Sequence, residues 1–356
     1  FVCVFGITDY FQMDILGFKV NMMDTQKSIY TSTFGNINTY TIYVAALLAI
    51  SMILFTQEKN QKRMFWYYGN MILTSFALIM GSSDNAYLSL AAIFGLAPLW
   101  LFQTKTGLRR YVISLATFFT VILCINGINK AYAASVLGID SAFNLIAGTK
   151  FLPVLVVLLW VIAVVLIFMN RKPQALMNRT TDDSMNKIAV YIWIGVIAVV
   201  CLAVLFVLYD ANLGGHADKY GALSSYVVFN DEWGTQRGYV WKRAMEIYTK
   251  KLNLLQKIFG YGPDTFALIM QYYYPGEMQN GRMVIFDSAH NEYLHYLVTT
   301  GFVGMASYLV FMVSSIVAMA KKIKEQPIVA AVMMAVLAYA IQAVVNINLP
   351  IAMPII

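Results

Sequence analysis

Residues 151–169 read FLPVLVVLLWVIAVVLIFM, an apolar run without a charged side chain. As a helix rising about 1.5 Å per residue, this run is long enough to cross the roughly 30 Å hydrocarbon core of a bilayer. Similar runs, all without Asp, Glu, Lys, Arg or His, occur at about 38–56, 64–81, 86–103, 111–128, 188–209, 296–320 and 328–349. With 60% apolar and 12% charged residues overall, the chain is predicted to be an all-α polytopic membrane protein with about eight transmembrane helices.

Positive charge is concentrated in four of the connections between these runs. On an alternating path the connections 57–63, 104–110, 170–187 and 321–327 share one side, and they carry 13 Lys and Arg against 4 Asp and Glu. The rest of the chain carries 12 against 14. The positive-inside rule makes the basic side cytoplasmic. The formal charge of +7 therefore indicates topology and contact with anionic membrane lipids, with no nucleic-acid partner.

The chain begins at Phe1 without a Met or a visible signal peptide. We expect residues 1–356 to form a single polytopic membrane domain that lacks earlier N-terminal helices. Ion-coupled transporters need ionisable groups at membrane depth, and the apolar runs contain none. The chemistry of this chain is therefore expected at the external surface.

A long external loop, residues 210–289, is the predicted place of that chemistry. It is rich in Tyr and Trp, which favour the membrane interface over disorder. Within it, apolar residues spaced by three or four predict an amphipathic helix from Arg237 to Phe259, which Gly260-Tyr261-Gly262-Pro263 ends. Its lysines indicate either an interfacial helix on lipid phosphates or one wall of a lipid-phosphate substrate site.

The stretch Phe286-Asp287-Ser288-Ala289-His290-Asn291 places a histidine at the mouth of the next span. Asp287 or Ser288 can cap that helix, with His290 in its first turn, where the helix dipole disfavours a protonated imidazole and attracts phosphate. His290 is thus a candidate base, and the alternative is an interfacial or hydrogen-bonded histidine, which is the interpretation for His295 and His216. Gly301 and Gly304 are predicted to let a neighbouring helix approach and so to fix the helix that presents His290.

Three arginines are candidate phosphate ligands, because the planar guanidinium donates two hydrogen bonds at once and keeps its charge. Arg237 opens the amphipathic helix, Arg243 lies six residues later, and Arg282 precedes His290 by eight residues. The alternative interpretation is contact with lipid headgroups. The three histidines have no metal-ligand spacing, so neither a metal nor another cofactor is expected.

Taken together these motifs resemble the O-antigen ligase and polymerase superfamily, whose members assemble bacterial surface polysaccharides. His290-Asn291 followed by Gly301 and Gly304 resembles the histidine motif of that family. Weaker likenesses are Thr33 to Asn38 before an early helix, where Ile37 replaces the usual proline, Arg237 with Trp241 and Ala244, and the turn from Gly260 to Phe266. The resemblance extends over about residues 30–350.

The resemblance implies a metal-independent, inverting glycosyltransferase of the bacterial inner membrane, with its active site on the external face. Its donor would be a glycan linked to a polyprenyl diphosphate such as undecaprenyl diphosphate, and its acceptor a glycan or a lipid-linked hydroxyl. His290 would be the general base and Arg237 would neutralise the diphosphate, with Arg282 or Arg243 assisting. Asn291 and Glu292 would orient the base or the acceptor, although a solvated carboxylate is the alternative for Glu292.

Other functions are compatible with part of the pattern. A capsule or exopolysaccharide polymerase of the same superfamily differs from a ligase only in its acceptor, so the catalytic residues do not separate the two. A polysaccharide flippase or transporter would line a central path with polar residues. A peptidoglycan polymerase of the rod-shape or cell-division type would use an external-loop aspartate, for which Asp218, Asp231 and Asp264 are available, but it assigns no role to the histidine motif.

Overall fold

A computed structural model of the chain describes residues 1–169, 179–275 and 286–346. Over these residues the protein consists of helices and loops without a β-strand, which confirms the all-α polytopic class. Arg282 and the end of the predicted span 328–349 lie outside the described residues. The described residues form two compact units, Phe1–Ile194 with Ile316–Gln342 and Gly195–Ser315 with Ala343–Asn348. The single domain expected for residues 1–356 stays a prediction.

The helices follow one another with mostly short connections. In chain order they are α1 Val2–Tyr10, α2 Asp24–Lys27, α3 Ile37–Gln57, α4 Gln61–Met80, α5 Ala86–Leu96, α6 Pro98–Leu101, α7 Lys105–Ala131, α8 Ser141–Gly148, α9 Leu152–Met169, α10 Arg179–Asn212, α11 Ser224–Val227, α12 Trp233–Glu246, α13 Leu254–Phe259, α14 Phe266–Tyr273, α15 Glu292–Thr299, α16 Gly301–Ala320 and α17 Pro327–Gln342. A 3₁₀ segment, Ala217–Leu223, precedes α11, and a π-helical turn, Ile247–Lys251, follows α12.

Five of the described helices are long and apolar enough to cross a membrane. They are α3, α7, α9, the Lys187–Asn212 part of α10, and α16. The apolar run 86–103 is divided into α5 and α6, because Pro98 lacks the amide hydrogen that a continuous helix would need there. The apolar helix α17 is sixteen residues long. The count of eight spans and their orientation stay predictions.

The core of the first unit is built around α3. Val44, Leu48 and Met52 recur every four residues along it and are fully buried. Because α4, α5, α7 and α17 pack around α3, its apolar side chains are needed on nearly every face, and a polar stripe is missing. Ser89 on α5 and Gln342 on α17 form a buried side-chain hydrogen bond between two of these helices.

The stretch from Thr33 to Asn38 forms the N-terminal cap of α3. The Asn36 side-chain oxygen accepts hydrogen bonds from the backbone N–H groups of Asn38, at 2.8 Å, and Thr39, at 3.2 Å. The Asn38 side chain in turn accepts from Ser83 Oγ at 2.7 Å and from Asn85 at 3.1 Å. In this unit the stretch therefore has a structural role. It caps the start of α3 and forms hydrogen bonds to the connection before α5.

In the second unit, two helices expected to be continuous are broken. The predicted helix from Arg237 to Phe259 passes through the π-helical turn and ends, and α13 starts anew after Asn253. Asn253 and Gln256 form a capping box, which competes successfully with the apolar periodicity. The predicted span 296–320 is likewise broken, because Gly301, the first residue of α16, adopts a φ of +71°.

Candidate active site

Arg237 lies where regular helical geometry begins in α12. Gly234, Thr235 and Gln236 all have positive φ, between 59° and 70°, and Arg237 is the next residue. The helix start is held in place because Gly238 packs directly on the Asn230 carbonyl, where a Cβ atom would come within 1.9 Å of the oxygen. Consecutive left-handed non-glycine residues are rare, and such backbone strain is concentrated at functional sites.

His290 has the same kind of backbone, with a φ of +46°. It lies before α15 rather than in its first turn, and the predicted caps Asp287 and Ser288 are wrong. Asn291 is the N-cap, and its side-chain oxygen accepts from the Leu294 N–H at 2.9 Å. Asparagine caps as well as aspartate or serine, so local preferences favoured none of the three. His290 is therefore part of a strained loop immediately before the helix.

The structure brings Arg237 and His290 into one electrostatic neighbourhood. Burial lowers the pKa of the His290 imidazole below its usual value, and the positive charge of Arg237 lowers this pKa further. Asp287 acts in the opposite direction, and His295 adds a smaller lowering effect. Both candidate residues are partly buried. Burial and the charge of Arg237 thus both favour the neutral imidazole, which is the protonation state that a general base requires.

Several buried polar atoms around these two residues have no hydrogen-bond partner among the residues that the structure describes. They are Ser288 Oγ, His290 Nδ1, His295 Nδ1 and Gln236 Oε1. Burying such an atom unpaired costs about 1–3 kcal/mol, and native proteins keep few of them away from functional sites. Gln236 directly precedes Arg237, and the other three lie in the segment 288–295 that contains His290, which is consistent with a site that binds a polar ligand.

A cavity of about 470 Å³ opens beside this loop. Its walls are mainly apolar and aromatic, and they include Phe229, Trp241, Met245, Leu297 and Met305. Asn291, which follows His290 directly, and Lys242 supply polar groups at the wall. Lys242 forms an ion pair with Asp231 at 2.8 Å, and both side chains are about half exposed. The sequence analysis did not single out Lys242 as a site residue, because a lysine on an amphipathic helix equally suits contact with lipid phosphates.

The other predicted ligands differ in their surroundings. Arg243 donates to Glu246 at 2.9 Å and lies against the rings of Tyr239 and Tyr274, with its carbon Cζ 5.4 and 4.7 Å from their centroids. Its role as a substrate ligand stays a prediction. Glu292 is only 2% exposed, so the alternative of a solvated carboxylate is wrong.

His216 lies away from the candidate residues in the sequence and has a carboxylate partner. Its Nδ1 atom is 2.7 Å from Asp210 Oδ1, and Lys219 and Tyr220 donate to the other oxygen of the same carboxylate. The imidazole is largely exposed. These contacts are consistent with the interpretation of His216 as a hydrogen-bonded interfacial residue.

The two glycine motifs of the second unit contact each other. Thr299 O accepts from the N–H groups of both Tyr261 and Gly262 at 2.8 Å, which joins the turn after α13 to the break between α15 and α16. A Cβ atom on Gly301 would lie 2.4 Å from the Ile258 carbonyl oxygen, and one on Gly260 would lie 2.0 Å from the Thr299 carbonyl oxygen. Gly301 thus permits a close approach of backbones, as expected, and its partner is the C-terminal end of the short helix α13 together with Gly260.

Gly304 differs from the prediction. The atoms nearest to a Cβ at this position belong to the side chain of Thr300, one turn earlier, at 2.1 and 2.5 Å. Thr300 in turn donates from its hydroxyl to the Tyr296 carbonyl at 2.8 Å. Gly304 therefore makes room for a threonine of its own chain segment, which ties α15 to α16 across the break. The close approach of a neighbouring helix is not its nearest contact.

We expect Gly301→Ala to destabilise the second unit. An L-residue at φ +71° costs about 1–2 kcal/mol by itself, and the clash with Ile258 adds to this cost. The measurement is the thermal unfolding midpoint of the purified protein in detergent. Gly195→Ala is the matched control, because this glycine has ordinary φ and open space around its Cβ position. Equal midpoints for the two variants would contradict the assigned role of Gly301.

The middle of the chain matches a known protein family. Residues 133–309, about half of the chain, match the family model described as O-antigen ligase. The matched range contains Arg237, the turn from Gly260 to Phe266, and the His290 motif as far as Gly304. The Thr33 to Asn38 stretch lies before it. No curated protein and no solved structure matches the chain.

Proposed function

Because the chain belongs to the O-antigen ligase and polymerase superfamily, we propose that it transfers a glycan from a polyprenyl diphosphate donor to an acceptor hydroxyl. The observation that carries the proposal is that the imidazole of His290 is partly buried and lies close enough to the guanidinium of Arg237 for its positive charge to lower the pKa of His290. The apolar cavity beside Asn291 suits an amphiphilic substrate. The reaction would take place at the external face of a bacterial inner membrane.

In the proposed reaction the acceptor oxygen attacks the anomeric carbon of the donor sugar. The new C–O bond forms on the face opposite the leaving group, so the anomeric configuration inverts. The bond between the anomeric carbon and the diphosphate oxygen breaks, and the polyprenyl diphosphate leaves with the electron pair of that bond. Diphosphate is a stable leaving group, so a paired general acid of the glycosidase kind is not required.

His290 takes the acceptor proton in this scheme. A positioned general base contributes roughly 10²–10⁴-fold to such a reaction. The imidazole must be neutral before the acceptor arrives, and burial together with Arg237 favours that state. Asn291, the cap of α15, follows the base directly and lines the cavity, which suits a role in orienting the acceptor.

Arg237 stabilises the negative charge that develops on the departing phosphates. A guanidinium donates two parallel hydrogen bonds to phosphate oxygens without losing its own charge. The strained backbone before Arg237 supports this role, because it fixes the direction in which the helix begins. Arg282, Arg243 and Glu292 are proposed as further substrate-binding residues, with Arg243 the weaker ligand because Glu246 already binds its guanidinium.

The pH dependence of transfer follows from the lowered pKa of His290. As the pH falls through this pKa the imidazole takes up a proton, and the rate falls with it. We expect the acid limb of kcat/KM below about pH 6.5, the value for an unperturbed imidazole, and a plateau above it. Initial rates measured across roughly pH 5 to 8 test this expectation. An acid limb at or above the unperturbed value would contradict it.

A reconstituted assay tests the proposed function. Purified protein in liposomes is incubated with candidate lipid-linked glycans and acceptors, and the products are analysed by gel and mass spectrometry. A ligase attaches the glycan to a lipid core or a protein, whereas a capsule or exopolysaccharide polymerase extends another lipid-linked glycan. A flippase moves the lipid-linked glycan between leaflets without forming a glycosidic bond, so an unchanged product mass with translocation would overturn the proposal.

A further inference from the structure

Trp241 links the helix that carries Arg237 to the loop that carries His290. Its indole N–H donates to the carbonyl oxygen of Ala289 at 2.9 Å, across 48 residues of sequence. Ala289 is fully buried and immediately precedes His290. Trp241 itself lies four residues after Arg237 in α12, so the two side chains share one face of that helix.

The His290 loop is held at two points. On one side Trp241 binds Ala289, and on the other the Glu292 N–H donates to the Ala343 carbonyl at 2.9 Å. Between these anchors His290 keeps its positive φ of 46°, a conformation that costs free energy and persists only where its surroundings enforce it. Release of the Ala289 anchor would allow the loop to relax and the imidazole to move relative to α12.

The indole ring is itself fixed by an aromatic cluster. The ring centroid of Trp241 lies 5.1 Å from that of Trp233 and 6.1 Å from that of Phe229. Trp233 also donates its indole N–H to a backbone carbonyl, that of Tyr226, at 2.9 Å. The chain therefore offers two tryptophans in one cluster with the same kind of hydrogen bond, only one of which reaches the His290 loop.

We propose that Trp241 is a positioning residue, which sets the separation and orientation of the imidazole relative to the guanidinium through its hydrogen bond to Ala289. This inference rests on the proposed function for its catalytic consequence. Its structural part, that Trp241 positions His290 against Arg237, is independent of the reaction. A role as a plain cavity wall is the alternative, because Trp241 also lines the apolar cavity.

The test compares Trp241→Phe with Trp233→Phe. Each variant keeps an aromatic ring in the cluster and removes one indole N–H donor. For Trp241→Phe we expect kcat to fall roughly 10- to 100-fold, because displacements of about 1 Å at a reacting group cost up to ~10²-fold, while KM for the donor stays within a few-fold. Trp233→Phe should leave kcat close to that of the unchanged protein. A rise in KM without a fall in kcat would indicate a cavity wall and overturn the proposal.

A second measurement determines the pKa of the His290 imidazole directly. The groups that face His290 are Arg237 on α12, Asp287 on its own loop and His295 on α15. If Trp241→Phe moves the imidazole away from Arg237, the pKa of His290 should rise. The rate of His290 modification by diethyl pyrocarbonate, followed by mass spectrometry as a function of pH, reports this pKa without any glycan transfer. We expect an upward shift in Trp241→Phe and none in Trp233→Phe.

An isosteric replacement of Trp241 controls for misfolding, because it removes the N–H donor and keeps the shape of the side chain. Benzothienylalanine at position 241 has the shape of tryptophan with sulfur in place of the indole N–H, and it should reproduce both effects. Titrations and kcat values indistinguishable from those of the Trp233→Phe protein would overturn the positioning role. If the His290→Ala protein kept full transfer activity, the proposed base would fail, yet the modification titration would still decide whether Trp241 positions His290.

Discussion

Replacing His290 by Ala should lower the rate of glycan transfer by roughly 10²–10⁴-fold, the usual contribution of a general base. The variant loses the only group proposed to accept the acceptor proton, while Arg237 and the apolar cavity remain to bind the donor. Lipid-linked donor should therefore accumulate in cells and stay unconsumed in the reconstituted assay. Donor affinity, measured by equilibrium binding to proteoliposomes, should change little.

His216→Ala is the matched control for this experiment. It also removes an imidazole from the predicted external loop, but one that is bound to Asp210 through Nδ1. Transfer by this variant should stay within a few-fold of the unchanged protein. Retention of most transfer activity by the His290→Ala protein, with its fold verified by thermal unfolding, would reject His290 as the base.

The second large effect is expected for Arg237→Lys. Lysine keeps the positive charge but cannot donate two parallel hydrogen bonds from a planar group. Loss of one well-placed donor to a developing charge costs about 2.7–4 kcal/mol, or on the order of 10²–10³-fold in kcat. The measurement is kcat in the reconstituted assay at saturating donor.

The pH profiles of Arg237 variants separate two proposed effects of this residue, its hydrogen bonds to the donor phosphates and the effect of its charge on the pKa of His290. Because lysine retains the charge that lowers the pKa of His290, the acid limb of the pH profile should stay nearly in place for Arg237→Lys. Arg237→Gln removes the charge and should move this limb to higher pH. Arg109→Lys, the same substitution in a predicted cytoplasmic connection, is the control. Full activity of the Arg237→Lys protein would reduce this arginine to a lipid contact.

Arg243→Lys examines a weaker candidate. The Arg243 guanidinium donates to Glu246 and lies near the rings of Tyr239 and Tyr274, so less of its hydrogen-bonding capacity is available for a phosphate. A loss of activity smaller than that of Arg237→Lys is therefore expected. The ratio of the two losses in kcat shows how much more the Arg237 guanidinium stabilises the transition state than the Arg243 guanidinium does.

Competing local preferences made the ends of helices hard to predict in the loop 210–289. The periodic apolar residues between Arg237 and Phe259 are typical of one helix, yet Asn253 and Gln256 form a capping box that starts a new one. That signal is visible in the sequence, since Asn followed three residues later by Gln marks a helix start. At His290 the sequence analysis predicted Asp287 or Ser288 as the cap, whereas Asn291, a residue type that caps equally well, is the cap in the structure.

The amino-acid sequence by itself determined the membrane character, because crossing a bilayer requires uninterrupted apolar length and this can be read residue by residue. It also singled out His290 and Arg237, because the motifs around these two residues resemble those of the O-antigen ligase and polymerase superfamily. Only the tertiary structure decided that the charge of Arg237 lowers the pKa of His290 and that Trp241 donates a hydrogen bond to the Ala289 carbonyl. It also decided that the backbone is left-handed before Arg237 and at His290. The physical reason is that such contacts join distant segments, and their free energy exceeds the local conformational preferences from which a sequence pattern is interpreted.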